Sequence, residues 1–376
     1  MRFNFCGELK FSEGKRPYLR EGKGKNGKAW KSLNIGVASD VNNRGFVEIF
    51  GQDRDGDDIH TKGINGEDVT IAWKNRDTEE ALSSVANYRK YVIALDGEER
   101  MEFIDSWDAV NYILEHVDEI KNKRYVVTGD VTVDEYNGRI TRRFTLRNIY
   151  PVREDNKNGL VLTGEIYFTA DGIDLADWKD EKKININAYT KEWMSKDNPN
   201  AYVPQSFVFD CSKVNFENEK HVGILKLRAK QFGVEFSDKM QPKVFLKKTK
   251  VYAHSAVIKY VNGAETIEFG YDQLTPSQKE YVDWGLRSVE DFRPRGQAFG
   301  DRVVIYKITD FDLNGQYVDG LLQTEIMMKE FEEDIYRPAV KEDAESILSG
   351  MNPPEEEKEN EKPVDDDEES IGDLFG

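Results

Sequence analysis

The stretch FNFCGELKF (residues 3–11) has a counterpart in LVLTGEIYF (residues 160–168), and both end in Gly-Glu-apolar-x-Phe. Two further pairs follow in the same order. VIALDGEERMEF (92–103) resembles VIKYVNGAETIEF (257–269), and RYVVTGDVTVDEYNG (124–138) resembles RVVIYKITDFDLNG (302–315). The offset grows along the chain, which is typical of a tandem duplication whose second copy carries insertions. Chance recurrence of strand-and-turn patterns in a β-rich chain is the alternative.

Between these segments the sequence indicates strands more often than helices. Short runs rich in Val, Ile, Tyr and Phe are separated by turn pairs such as Asp96-Gly97 and Asn262-Gly263, which are hairpin signals. One helix is predicted over residues 106–120, with Ser106 as N-cap. A second is predicted over residues 275–292, with Thr275-Pro276 and Gln278 in capping-box positions. A third, shorter helical pattern lies near residues 322–336.

Each copy therefore reads as strand, long loop, two strands, irregular stretch, helix and hairpin. This is the order of an OB-fold, a small antiparallel barrel with one helix between strands 3 and 4. We predict a mainly β protein with two tandem OB-fold-like barrels, over residues 1–153 and 158–335, the second with insertions. Residues 336–351 would form a linker or short helix, and residues 352–376 a disordered acidic tail with an apolar tip.

The charge is unevenly distributed along the chain. The 376 residues carry a net charge of -18, but residues 341–376 contain 14 Asp and Glu against three Lys and account for -11 of it. Blocks of like charge of this kind are typically disordered interaction tails. The first 340 residues carry only -7, so an acidic tail follows a far less acidic body.

The composition also bears on compartment and cofactors. The sequence shows no apolar run long enough for a membrane-spanning helix and no secretory signal, so we expect a cytoplasmic location, in the bacterial host if the gene is phage-encoded, and no membrane partner. Cys6 and Cys211 lie far apart, and the four histidines have no metal-ligand spacing. We expect no disulfide, no metal and no cofactor.

A basic segment stands out near the start of the chain. Residues 10–31, KFSEGKRPYLREGKGKNGKAWK, hold eight Lys and Arg and two Glu, with Tyr18 and Trp30 among them. In an OB-fold this segment would join strands 1 and 2, where such barrels hold single strands. Phosphates pair with Lys and Arg, and unstacked bases lie on aromatic rings. A solubilising surface hairpin is the alternative interpretation.

Other basic clusters and strand aromatics extend this candidate surface. Residues 226–250 carry eight Lys and Arg, and further cations follow both predicted helices. Phe46, Phe50 and Phe207 are strand aromatics that could stack on bases, although alternation turns about half of such residues inward. The candidate nucleic-acid-binding residues are Arg16, Tyr18, Arg20, Lys23, Lys25, Lys28, Trp30, Lys31, Trp73, Arg76, Arg139, Arg142, Arg143, Lys182, Lys183, Tyr189, Trp193, Lys226, Arg228, Lys247, Lys248, Lys250, Tyr252, Arg293 and Arg295.

Enzymatic motifs are incomplete. Residues 22–29 approach a phosphate-binding P-loop, but Ala29 stands where Ser or Thr would hold magnesium. Residues 53–58 resemble the start of a calcium loop, yet Ile64 stands at the position that requires Glu. We therefore predict that the protein is not an enzyme and has no catalytic residues. A nuclease using unmarked carboxylates is a third possibility.

The tail has an unusual end. After Met351-Asn-Pro-Pro354, acidic residues dominate, and the segment closes with apolar side chains. An acidic run with an apolar tip is typical of a short motif that docks in a basic-rimmed hydrophobic pocket. The candidate partner-binding residues are Asp365, Asp366, Asp367, Ile371, Asp373, Leu374 and Phe375.

The chain resembles a known family at both ends, namely the single-stranded DNA-binding proteins of bacteria and their phages. FNFCGELKF, the basic loop and WKSLNIGVASD (30–40) look like the opening of that family's OB-fold. Family members end in an acidic stretch and a Phe-terminated tip that recruits replication and repair enzymes, and Asp373-Leu374-Phe375 looks like that tip. The chain departs from the pattern in its trailing Gly376, in lacking Pro before Phe, and in its tandem arrangement, which looks phage-like.

These features together predict a largely sequence-independent single-stranded DNA-binding protein that coats and protects its DNA. The tail would recruit replication, recombination or repair proteins, and without DNA it could compete for the basic grooves. Two barrels in one chain make a monomer or low-order oligomer plausible. The alternative is a β-rich phage structural or assembly protein that does not bind DNA.

Overall fold

Strands dominate the structure, a computed structural model that describes residues 1–14, 16–40, 43–136, 139–262, 271, 274–284, 286–287, 304–311, 322–323 and 326–337. The prediction of a mainly β chain is confirmed. The predicted tail and most of residues 336–351 lie outside these ranges. The predicted domain boundaries at residues 153 and 158 fall between two strands and stay predictions.

The N-terminal part of the chain contributes ten strands and three α-helices. The strands are β1 (Arg2–Lys10), β2 (Leu19–Lys23), β3 (Ala29–Ala38), β4 (Arg44–Gln52), β5 (Asp58–Lys62), β6 (Asp68–Ala72), β7 (Tyr91–Ile93), β8 (Met101–Phe103), β9 (Arg124–Tyr136) and β10 (Arg139–Pro151). The helices are α1 (Glu79–Ser84), α2 (Ser106–Glu115) and α3 (Val117–Ile120).

Five of these strands close a ring of pairings, which we call ring one. β1 pairs antiparallel with β3 and β9, β3 pairs with β4, and β9 pairs with β10. The ring closes where β10 runs parallel to β4. Alternate residues such as Leu33, Ile35 and Ile49 fill its core, and Val110 and Ile113 of α2 are fully buried in the same core.

The described residues after β10 contribute nine strands and four α-helices. The strands are β11 (Gly159–Phe168), β12 (Ile173–Asp174), β13 (Lys183–Glu192), β14 (Ala201–Asp210), β15 (Val234–Phe236), β16 (Pro242–Val244), β17 (Tyr252–Asn262), β18 (Val304–Phe311) and β19 (Leu322–Gln323). The helices are α4 (Trp178–Glu181), α5 (Glu219–Lys230), α6 (Pro276–Asp283) and α7 (Met328–Glu333).

Ring two consists of β11, β13, β14, β18 and β17. β11 pairs with β13 and β17, β13 pairs with β14, and β17 pairs with β18. β18 runs parallel to β14, as β10 does to β4 in ring one. The two rings share one continuous sheet because β1 pairs antiparallel with β11, from Arg2 opposite Thr163 to Cys6 opposite Gly159.

Asn43 fixes the junction between the rings. Its side-chain amide donates to the Tyr260 carbonyl oxygen at 3.3 Å and accepts from the Asn262 backbone N–H at 2.8 Å. The Asn43 side chain is only 2% exposed, so these bonds satisfy a polar group that burial would otherwise penalise. The Asn43 side chain therefore joins the β3–β4 connection of ring one to β17 of ring two.

The predicted internal repeat correctly matches the first strand of ring one with the first strand of ring two. Its two later pairs match segments that are not equivalent in the two rings. β1 and β11 are equivalent, but residues 92–103 lie in the β7–β8 region while residues 257–262 belong to β17. β17 is the equivalent of β9. Ring one has the longer connection between the third and fourth strands, residues 53–123 against residues 211–251, whereas ring two has the longer connection between the fourth and fifth strands, residues 263–303 against residues 137–138.

Two helix predictions also need correction. The Thr275 capping box is present, with Thr275 Oγ1 accepting from the Gln278 backbone N–H, but α6 lies between the fourth and fifth strands of ring two. The helix between its third and fourth strands is α5, whose weak apolar stripe gave no clear sequence signal. In ring one, Asp105 caps α2, and Ser106 is its first residue.

None of the helices in the described part of the chain is long and apolar enough to span a lipid bilayer.

Candidate nucleic-acid interface

The outer side of β2, β3 and β4 carries the candidate site in ring one. The strands pair so that Arg20 lies opposite Ser32 and Ser32 lies opposite Phe50. Residues alternate strictly along β4: Val47 and Ile49 point into the core, and their neighbours point outward. We call this surface the ring-one face, and it comprises Arg20, Trp30, Arg44, Phe46, Glu48 and Phe50.

Aromatic rings on the ring-one face are open to solvent. Phe46 is 50% exposed and Phe50 is 54% exposed. Trp30 is half-buried and stacks on Phe50, with ring centroids 6.1 Å apart and planes 25° from parallel. Exposed large aromatics grouped on one face are unusual for a soluble protein, so this grouping points to a binding surface. Four residues along β4 place Phe46 roughly 13 Å from Phe50.

Gly22 positions the Trp30 indole. Gly22 lies opposite Trp30 in the β2–β3 pairing, and a Cβ atom built on Gly22 would lie 3.0 Å from Trp30 Cζ2. Because glycine has no side chain, the indole can lie close against β2. A side chain at this position would have to displace the indole by a few tenths of an ångström.

Cations surround these rings. Arg20 and Arg44 are exposed, and Lys10 pairs with Glu8 at 2.6 Å. On β10, Arg143 binds Glu48 at 3.2 Å and also pairs with Asp134, whose hydrogen bond raises the pKa of the guanidinium. Among the described residues no carboxylate pairs with Arg20 or Arg44, whereas two carboxylates balance the charge of Arg143.

The remaining predicted cations of the basic loop lie on the β1–β2 connection and on the β2–β3 hairpin. Arg16 is exposed on the connection, and Lys23 and Lys25 are exposed on the hairpin. Lys28 instead pairs with Asp57 and donates to the Asp55 carbonyl oxygen at 3.2 Å, so the loop that resembles a P-loop contacts the turn that resembles a calcium loop. One ion pair, between Lys28 and Asp57, therefore joins the two partial motifs.

Two predicted residues of ring one, Lys31 and Tyr18, contact neighbouring side chains. Lys31 donates to Asn111 Oδ1 at 2.7 Å and lies over the Trp107 ring, which places it against α2. Tyr18 packs edge-on against Phe11 at 5.2 Å and is half-buried. We remove Lys31 from the candidate interface, whereas Tyr18 stays at its margin.

Trp73 and Arg76 require a correction. Trp73 is 6% exposed in a small core beside Ile59 and Ile71. Arg76 covers the Trp73 ring at 4.0 Å and makes a two-pronged ion pair with Asp108, at 2.6 Å and 2.8 Å. The basic neighbour that made Trp73 look like a base platform in fact covers it, so neither residue belongs to the candidate interface.

Arg139 and Arg142 lie on β10 beside the ring-one face. Arg139 is exposed, and Arg142 donates to the Pro204 carbonyl oxygen of ring two at 3.0 Å. Arg142 therefore bridges the rings.

The corresponding side of β13 and β14 in ring two is covered at one end, while Asn187, Pro204 and Ser206 on the same side are exposed. Tyr189 and Tyr202 lie there, and Phe331 of α7 packs on both, with ring centroids 5.1 Å and 4.6 Å away. Phe331 is 1% exposed. Two other predicted aromatics, Tyr252 at 3% and Phe207 at 0% exposure, belong to the core, so their predicted role as base platforms is corrected.

The predicted cations of ring two lie on several elements. Lys182 donates to the Trp178 and Lys179 carbonyl oxygens, and Lys183 pairs with Glu181. Lys226 and Arg228 are half-buried on α5. Lys247, Lys248 and Lys250 are exposed, and Lys248 pairs with Asp171 at 3.0 Å. These cations do not converge on one described surface. The predicted aromatic Trp193 is 62% exposed and lines a pocket.

Some predicted residues lie outside the described ranges. These are Arg293 and Arg295, and the tail residues Asp365, Asp366, Asp367, Ile371, Asp373, Leu374 and Phe375.

Both thiols are buried. Burial raises the pKa of Cys6 and raises that of Cys211 to about 12, so both thiols are protonated at neutral pH. Within the part of the chain that the structure describes, no three His, Cys, Asp or Glu side chains are grouped so as to hold a metal ion.

Comparisons with known proteins include structural similarities to single-stranded DNA binding proteins. No protein-family model matches the chain, and no curated protein matches it. A deletion mutant of the single-stranded DNA binding protein from Thermus aquaticus aligns with a TM-score of 0.25 and 9% identity, over 69% of this chain and 86% of that chain. The wild-type protein aligns with a TM-score of 0.23 and 9% identity, over 69% and 84%. The candidate interface rests on this chain's own strand pairing and side chains.

Proposed function

We propose that this protein binds single-stranded DNA, with each ring acting as an OB-type barrel and the ring-one face as the main binding surface. The strand order supports this proposal. In each ring the first strand pairs with the second and fourth, and the third runs parallel to the fifth. OB-folds hold oligonucleotides on strands 2 and 3 and on the loops that flank them, which correspond here to β3, β4 and the β2 hairpin.

The observation that carries the proposal is the stack of Trp30 on Phe50 beside exposed Phe46. Flat hydrophobic rings in solvent gain most from a flat hydrophobic ligand, and unpaired bases supply one. Stacking accepts any base, because every base has a π-face. The surface therefore favours single strands over duplex, whose bases are already stacked, and it predicts little dependence on sequence.

Phosphate binding would come from the cations around the stack. Arg20 on β2 lies two strands from Phe50 on β4, with Ser32 of β3 between them. Arg16 in the loop before β2, and Lys23 and Lys25 on the hairpin, extend the positive surface. Stacking and ion pairing together would hold the strand across β2, β3 and β4. The protein would act by coating the strand, a role that needs no catalytic residue.

Fluorescence anisotropy with labelled dT oligonucleotides tests the proposal. We expect tight binding that unlabelled duplex cannot displace, with an affinity that falls as salt rises, by a log–log slope of about -0.7 per phosphate contacted. Binding displaced equally by duplex, or no binding at low salt, would contradict it. The second outcome would favour a β-rich structural or assembly role for the protein.

The acidic tail has a proposed role as well. Its net negative charge and apolar tip fit recruitment of replication, recombination or repair proteins through a basic-rimmed pocket, and competition with DNA for the cations of the barrels. Removing residues 352–376 would then tighten DNA binding most at low salt, where screening is weakest. Unchanged affinity after truncation would contradict the competition.

A further inference from the structure

The outward side of α5 carries two large aliphatic side chains. Ile224 is 50% exposed and Leu227 is 56% exposed. Leu225 and Ala229, on the opposite side of the helix, are buried. Residues three positions apart lie side by side on a helix, so the two exposed side chains form one apolar patch. Grouped exposed apolar side chains mark interaction sites more often than single ones do. We call the surface of Ile224 and Leu227 the α5 face.

Gly223 keeps the α5 face open. It lies next to Ile224 and one turn before Leu227, and a Cβ atom built on Gly223 would meet no described side chain or neighbouring segment within 4 Å. Glycine inside a helix is less favourable than alanine, because it loses more conformational freedom on folding. Since packing within the described chain leaves room for alanine here, the glycine instead lets another segment lie close against the helix.

Cations flank the α5 face. Lys220 and Lys230 are exposed, one turn before Ile224 and one turn after Leu227. Residues 219–250 carry nine Lys and Arg against three Asp and Glu, in a chain whose net charge is -18. The face therefore suits an acidic ligand with apolar side chains. It disfavours the α5 of a second copy, which would bring like charges together.

The chain itself contains a segment of this chemistry. Residues 352–376 hold eleven Asp and Glu against two Lys, and they end with Ile371, Leu374 and Phe375. Single-stranded DNA is anionic too, but its bases gain most from aromatic rings, whereas the α5 face offers aliphatic side chains. An acidic peptide with an apolar end is therefore the better match.

The tail also starts from the ring that carries α5. Tyr336 donates its backbone N–H to the Tyr202 carbonyl oxygen of ring two at 3.0 Å, and 39 residues follow Arg337. A segment of that length spans at most about 130 Å when extended, which is ample for its end to return to ring two. Tethering raises the effective concentration of the tail at a site on its own chain, so this tail is favoured over one from another molecule.

We infer that the end of the tail, residues 371–376, docks on the α5 face of its own chain. Its apolar side chains would lie against Ile224 and Leu227, and the acidic run before them would lie beside the flanking lysines. The docking goes beyond the proposed function and does not depend on it, because α5 belongs to ring two and not to the ring-one face. A docked tail keeps its apolar end from solvent until a partner protein competes for it.

Photocrosslinking from the tail tests this inference without DNA. The full chain would carry benzoylphenylalanine in place of Phe375, and crosslinked peptides would be mapped by mass spectrometry. We expect crosslinks within one chain at residues 220–230, in a yield that falls as salt rises. No crosslink to α5, or crosslinks to α5 only between two chains, would overturn docking within the chain. A bound dT oligonucleotide that itself crosslinks to α5 would overturn it as well, because the face would then bind DNA.

Variants at exposed positions assign the crosslinks to the α5 face. Ile224→Gln combined with Leu227→Gln removes the apolar patch and should abolish most of the crosslinks without lowering the thermal midpoint, because glutamine is a good helix former. Lys220→Glu combined with Lys230→Glu should reduce the crosslinks most at low salt. Ile64→Gln, at a 66% exposed side chain between β5 and β6, is the matched control and should leave them unchanged. Crosslinks to α5 that survive the glutamine double variant would overturn the assignment.

Discussion

Ring one and ring two share an order of strand pairing but differ in what lies over their second and third strands. In ring one, Phe46 and Phe50 are half or more exposed. In ring two, Tyr189 and Tyr202 occupy the corresponding side and lie beneath Phe331. The difference teaches that aromatic residues on a barrel strand become a binding surface only where no later segment covers them.

The cover on ring two is fixed by backbone bonds. Tyr202 donates its backbone N–H to the Asp334 carbonyl oxygen at 3.0 Å, and Tyr336 donates its own to the Tyr202 carbonyl oxygen at 3.0 Å. Tyr336 also donates its phenol O–H to Glu135 of ring one. The segment that carries Phe331 is therefore bonded to both rings. It covers Tyr189 and Tyr202 of ring two, whereas Phe46 and Phe50 of ring one stay exposed.

The largest expected effect comes from removing the aromatic stack of ring one. Trp30→Ala and Phe50→Ala should each weaken single-stranded DNA binding by about 1–3 kcal/mol, roughly 5- to 150-fold, measured by anisotropy titration. The double variant should lose less than the sum, because the two rings contact each other. Tyr88→Ala, which removes another exposed aromatic, serves as the control. Full affinity in the double variant would show that the ring-one face does not bind single-stranded DNA.

Uncovering ring two should have a smaller effect on binding. Phe331→Ala would expose Tyr189 and Tyr202, so more nucleotides should be occluded per protein in a stoichiometric titration with poly-dT. The variant should also unfold at a lower temperature, since truncating a buried Phe costs about 3 kcal/mol. Met327→Ala, at an exposed neighbour of the same helix, should leave the footprint unchanged. A footprint unaltered by Phe331→Ala would show that the cover does not decide the difference.

The smallest expected effect concerns charge on the ring-one face. Glu48→Gln removes a carboxylate from between Phe46 and Phe50 and leaves Arg143 with fewer anionic neighbours. Binding should tighten by a few-fold, about 0.5–1 kcal/mol, at low salt and by less at high salt. Glu99→Gln, on an exposed turn, provides the matched comparison. Weaker binding of Glu48→Gln would mean that Glu48 itself contacts the strand.

The sequence predicted where the strands lie better than it predicted which strands of ring one and ring two correspond. Turn pairs and alternation located most strands, and the match of residues 3–11 to residues 160–168 found the first strand of each ring. The later matches failed because similar strand patterns recur in every β-rich chain, whereas pairing partners are set by contacts far apart in sequence. The sequence did not predict α5, because much of the surface of this helix is polar or exposed.

The candidate site was only partly predictable. Phe46 and Phe50 share strand parity with Arg44 and Glu48, and this alternation was enough to predict that they point outward. Nothing local showed that Phe331 would cover Tyr189. A basic residue near Trp73 looked like a phosphate contact, but Arg76 belongs to an ion pair with Asp108. Local charge cannot distinguish a free cation from one that a distant carboxylate binds.

Photocrosslinking of a bound dT oligonucleotide, with mapping of the modified residues by mass spectrometry, tests the central claim most directly. The account predicts crosslinks at Trp30, Phe46 or Phe50 on the ring-one face, and none at Tyr189 or Tyr202 beneath Phe331. Crosslinks at those tyrosines, with none on the ring-one face, would contradict it.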